Sequence, residues 1–185
     1  QSTGANQVFL DNVEQQMDRL TFTQLAVEQL RLPRAVDPAD GNPIGILAGL
    51  ELPVYITTSH HRLMEEGLNA IGKTARTEVY CWREDLKIPA EYAVDLRYEP
   101  TVDDPLVFHL FGIDSVDESL VLTEDDHLDF LVSIMRDFND TAVIPNHLRD
   151  AISTSMLLLL GYDIHGWDLK TFLKGLVEPT EKHPE

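Results

Sequence analysis

The apolar residues of this chain follow two periods, and the change from one to the other marks out its elements. From Val8 to Leu32 the residues Val8, Phe9, Val13, Met17, Leu20, Leu25, Val27 and Leu30 recur mostly at helical spacing, which predicts two helices or one kinked helix. Pro33, Pro38, Gly41 and Pro43 mark a loop, and Asn42 or Pro43 can open a short helix through Leu50. Pro53-Val-Tyr-Ile-Thr57 is a short β-branched and aromatic run that breaks into polar residues and then into helical spacing at Leu63, Met64, Leu68 and Ile71. That is a strand feeding a helix, with Gly72 as its stop. Further strands are predicted over 78–82, 106–111, 119–122 and 156–160. The leucine run Met156 to Leu160 reads as a buried central strand meeting Gly161. Thr123 caps a helix through Leu128, Phe130, Leu131 and Ile134; Pro145 to Ile152 and Trp167 to Val177 suit two more. Arg83 to Asp104 is a long surface connection, and 178–185 a flexible tail.

Strands alternating with helices predict an α/β chain, a Rossmann-like, doubly wound and mostly parallel sheet with helices on both faces, formed by one domain over 1–177. In such a sheet ligands collect beyond the carboxyl ends of the strands, so Thr57, Thr58, Ser59 and His61 are candidate contacts. Each has a plainer reading beside it, since short polar residues at strand ends cap turns and histidines at a helix start are commonly solvated. His109, within an apolar strand, suits a hydrogen-bonded core as well as it suits a base.

With 14 Lys and Arg against 32 Asp and Glu, the net charge of −18 repels phosphate backbones and anionic lipid. Neither nucleic acid nor a membrane is expected as a partner. The single Cys81 excludes an internal disulfide, and no apolar run reaches the ~20 residues of a membrane span, which together point to the cytoplasm. A start at Gln1 suggests a piece of a larger protein. Asp125, Asp126, His127 and Asp129 are explained by helix capping and do not share one face, so no metal site is expected. There is no Gly-x-Ser-x-Gly elbow, Walker-type phosphate loop or His-Glu-x-x-His motif.

Four segments in order carry a resemblance: Pro53 to Leu68, Pro105-Leu-Val-Phe-His-Leu-Phe-Gly112, Ser119 to Leu131, and Leu157-Leu-Leu-Leu-Gly-Tyr-Asp-Ile-His-Gly-Trp-Asp168. Together they resemble the bacterial SIR2-like domains, relatives of sirtuins found in multidomain anti-phage defence proteins. The resemblance implies NAD as cofactor, with contacts at Thr57, Thr58, Ser59, His61, Gly112, Gly161, Tyr162 and Asp163, and a catalytic pair drawn from Ser59 and His109. Three positions depart from it. Ser59 and His61 stand where the family has Asn and Asp, and Phe111 where sirtuins have the base before glycine. Ser59 cannot copy an amide, and Phe111 takes no proton. His109, two residues earlier on the same strand, is expected to face the same side as Phe111. The sirtuin Gly-Ala-Gly cradle has no counterpart, since Gly4-Ala5 follows no strand. Two functions follow: an NAD-binding or NAD-hydrolysing domain of a larger bacterial defence or signalling protein, or a catalytically inactive interaction or sensing module on the same fold. Partners would be other domains of the chain or, through the face of Val8, Phe9, Val13 and Met17, a second copy.

Overall fold

The computed structural model describes residues 41–137 and 144–161. The helical stretch Val8–Leu32, the turn residues Tyr162 and Asp163, the closing helix over 167–177 and the tail lie outside the described residues.

Helix α1, Pro43–Ala48, starts where proline is favoured, with Asn42 Oδ1 accepting the Ile44 N–H at 2.9 Å. Strand β1, Val54–Thr57, leads through Thr58–Arg62 into α2, Leu63–Ala70. Gly72, at φ 83°, ends α2: the Lys73 N–H reaches the Leu68 carbonyl and the Gly72 N–H that of Asn69. Strand β2, Arg76–Val79, lies two to three residues earlier than the apolar run suggested, because Tyr80 and Trp82 turn into the core beyond the strand. After a long connection comes β3, Leu106–His109, then a 3-10 turn at Asp117–Ser119, α3 over Glu124–Asp137 and α4 over Asn146–Thr154. Thr123 and Asp126 form a reciprocal cap at the start of α3, Asp126 N–H to Thr123 Oγ1 at 3.1 Å and Thr123 N–H to Asp126 Oδ2 at 2.9 Å.

The three described strands run parallel in the order β1-β3-β2. Thr57, His109 and Val79 stand level at their carboxyl ends. Alternation along β3 sends Leu106 and Phe108 to one face, where Phe130, Leu131 and Ile134 of α3 and Leu148 and Ile152 of α4 complete the larger core. Val107 goes to the other face, with Ala48 of α1 and Leu68 of α2. The α/β sheet with helices on both faces is therefore present. Strand β3 is buried on both faces, so its sequence is apolar without a break except at His109.

Two expected strands are absent. The segment 156–160 is not a buried central strand: it is unpaired and exposed, Met156 at 98% and Leu158 at 60%. A strand needs a neighbour's amides and carbonyls, and none of the described strands lies beside this run. The segment 119–122 is the end of a 3-10 turn followed by extended chain, joined to β3's exit by the Val121 N–H to the Phe111 carbonyl and the Ile113 N–H to Ser119 Oγ, both at 3.0 Å.

Candidate functional site

Strands β1 and β3 are neighbours, and the chain leaves them in opposite directions. After β1 it enters α2 on the smaller face; after β3 it passes the 3-10 turn to α3 on the larger one. Between two such exits a parallel sheet opens a crevice. Residues 57–62 form one wall and 110–114 the other, tied by the Leu110 N–H to the Thr57 carbonyl, 2.9 Å, and the Asp114 N–H to the His60 carbonyl, 3.0 Å.

The wall after β1 is a succession of side-chain turns. Thr57 Oγ1 accepts the Ser59 N–H at 2.9 Å, and Ser59 Oγ accepts the His61 N–H at 3.2 Å. Both hydroxyls keep their own proton for donation. Ser59 is exposed, while Thr57, Thr58, His60 and His61 are half-buried. Burial holds both imidazoles below their ordinary value. The neighbouring His61 adds to this at His60, while the Asp114 carboxylate works against it at both. Both rings are therefore neutral at physiological pH.

The carbonyl of Ser59 points inward to His109. That side chain is fully buried, with Nδ1 2.9 Å from the Ser59 oxygen and Nε2 2.9 Å from Glu65 Oε1 of α2. Glu65 is buried as well and accepts the Thr77 hydroxyl of β2 at 2.9 Å. Its second oxygen, Oε2, is buried without a hydrogen-bond partner among the described residues. A polar chain thus runs from β2 through α2 and β3 to the loop after β1. Glu65 had no place among the expected site residues, although it had a signal: it stands three positions before the core residue Leu68, on the inner side of the helix.

Phe111 and His109 do not face the same side, contrary to the strand rule. Regular pairing ends near Leu110, and both Leu110 and Phe111 turn to the larger face. There Phe111 packs edge-on against His127 and Phe130, with ring centroids 4.8 and 4.9 Å away. Gly112 is buried at φ 84°, and a Cβ there would meet the Ser119 carbonyl oxygen at 2.1 Å. Its missing side chain is taken up by the protein's own backbone. Gly161, at φ 74°, does not close a strand, and a Cβ there would meet none of the described residues within 4 Å. The structure brings Thr57, Thr58, Ser59, His61, His109 and Gly112 to one end of the sheet. Among the described residues no group of three or more His, Cys, Asp or Glu is arranged to hold a metal ion. Nor is any helix among them long and apolar enough to cross a membrane.

A family model described as "SIR2-like domain" matches residues 53–185, more than half of the chain, and the chain belongs to that family. No curated protein matches it.

Proposed function

We propose that this SIR2-like domain binds NAD, or a closely related nicotinamide nucleotide, in the crevice between β1 and β3, and holds it without cleaving it. The observation that carries this reading is the divergence of two adjacent parallel strands to opposite faces, with hydroxyl-bearing turns on the wall between them. The residues fit the sugar end of such a ligand. Thr57 and Ser59 offer O–H donors, and neutral His61 and the backbone of Thr58 complete a short polar rim. Gly161, Tyr162 and Asp163 are the further contacts that family membership suggests. When bound, NAD would supply an activated glycosidic bond at its nicotinamide ribose.

The silent half of the proposal has its own support. Phe111 sits in an aromatic cluster and has no proton to exchange. Ser59 lacks the paired carbonyl and amide that would orient a water. His109, the other catalytic candidate, has both ring nitrogens engaged in the interior. Ser59 is accordingly a binding group and His109 a supporting one. The setting would be a larger bacterial defence or signalling protein of the cytoplasm, with its other domains or a second copy as partners.

Titration calorimetry of the 185-residue chain with NAD, paired with chromatography of the mixture, tests both halves. Saturable binding with nicotinamide release no faster than buffer is expected. Turnover near the usual ~1 to 1,000 per second overturns the silent half. Absence of binding at about millimolar NAD, near −4 kcal/mol, overturns the whole.

A further inference from the structure

The chain Thr77–Glu65–His109–Ser59 is built from groups that a core does not choose for stability. Two ionisable side chains lie buried beside Leu68 and Val107, and apolar residues of similar size commonly serve a core at least as well. The carboxylate even leaves Oε2 without a partner among the described residues, which costs free energy. What the arrangement provides is direction. A backbone carbonyl can only accept, so the 2.9 Å contact to Ser59 fixes a proton on Nδ1 of His109. Glu65 then holds the opposite nitrogen, whether by accepting from Nε2 or by donating to it, and two contacts on opposite edges fix both the tautomer and the plane of the ring. The Thr77 hydroxyl in turn fixes Glu65.

We infer that Glu65 is a positioning residue of the crevice, acting through His109 on the Ser59 carbonyl to set the path of the Thr57–His61 wall. This rests on the nucleotide reading of the crevice for its consequence in binding, though not for its geometry. Ser59 is the point where the relay meets that wall. Its carbonyl faces the relay while its Oγ and N–H take part in the two turns that present the hydroxyls. A ring free to tilt would release that carbonyl and with it both turns.

The test compares Glu65→Leu with Glu65→Gln in the 185-residue chain. Leucine fills the volume and removes the hold on Nε2; glutamine can still bond that nitrogen and the Thr77 hydroxyl. Three readouts are taken: NAD affinity by calorimetry, protonation of the His109 ring by 15N NMR, and backbone amide resonances of Ser59, His60 and His61. The wild-type ring is expected to carry a proton on Nδ1. Glu65→Leu should shift the three amides and weaken NAD binding about tenfold or more, as loss of a buried hydrogen bond does. Glu65→Gln should keep the amides in place and the affinity within about threefold. A bare Nδ1 in the wild-type chain overturns the inference, as do unmoved amides in Glu65→Leu, or amides displaced as far in Glu65→Gln as in Glu65→Leu. If Glu65→Leu does not fold, Glu65→Gln decides alone by whether its three amides keep the wild-type positions. If the wild-type chain binds no NAD, only the nucleotide reading falls, and the ring and amide readouts still decide the positioning role.

Discussion

Gly112 follows β3 and Gly161 follows the leucine run, and both hold the left-handed backbone, at φ 84° and 74°. Their surroundings are opposite. The Cα of Gly112 lies against the backbone of Ser119, closing the turn after β3 on itself, while at Gly161 a Cβ would meet none of the described residues within 4 Å. The same residue type in the same conformation therefore serves two ends: one glycine lets two backbones of this chain meet, the other lets the chain turn. For the crevice the lesson is that its two walls are made differently. Residues 110–119 are a closed backbone knot in which Ser119 Oγ accepts the Ile113 N–H at 3.0 Å and donates to the Val116 carbonyl at 2.6 Å. Residues 57–61 are an outward-facing wall held from behind by side chains.

Substitution can break this contrast, most strongly at the knot. Gly112→Ala should cost about 3–5 kcal/mol in urea unfolding, since left-handed strain and a clash with backbone add; a loss near that of an ordinary surface change would remove the contrast. Ser119→Ala should cost about 1–3 kcal/mol by leaving the buried Ile113 N–H without its acceptor, with a matching rise in hydrogen exchange at that amide. Gly161→Ala should cost only the conformational term, about 1–2 kcal/mol; a loss equal to that of Gly112→Ala would mean that the two turns are alike.

The smallest effect sharpens the picture of the outward-facing wall through pH. His60 and His61 are held below the ordinary imidazole value of about 6.5, mainly by burial, and so is His147 in α4's first turn. Between the ordinary and the lowered values the unfolded chain binds more protons than the folded one, so stability rises with pH. It should be constant above about pH 7.5, begin to fall below the ordinary value, and finish falling once the folded rings are protonated. Urea midpoints across that range should flatten in His60→Gln and His61→Gln, and an unchanged slope in both would locate the titration elsewhere.

Much of this could be read from the chain, and the limits are physical. Strand β1, the helix after it, the Gly72 stop and the Thr123 cap were legible because each depends on residues within one turn of each other. β3 was legible because burial on both faces leaves an unbroken apolar run. The run at 156–160 has the same composition without a described neighbour, and composition cannot report pairing. The strand-end residues Thr57 to His61 were legible through their polarity. Glu65 and the facing of Phe111 were not, because one depends on a contact 44 positions away and the other on where β3 stops being regular. Gly112 could be seen as special, but the backbone it accommodates could not.

The order of the sheet also bears on how the protein comes into being. Strands β1 and β2 are joined through α2 yet do not touch; each hydrogen-bonds to β3, which is made last of the three. A growing chain emerging from the ribosome therefore cannot pair β1 or β2 within this sheet until residues 106–109 arrive some 27 positions after β2 ends. At about 5–20 residues per second, that interval lasts roughly one to five seconds. Meanwhile β2 is not bare on its outer side, since the connection after it folds back along it, Tyr92 offering its carbonyl to the Val79 N–H at 2.9 Å. β1 has no such cover among the described residues. Among the described residues β3 is thus the strand that joins the other two, and pairing within this sheet waits on its arrival.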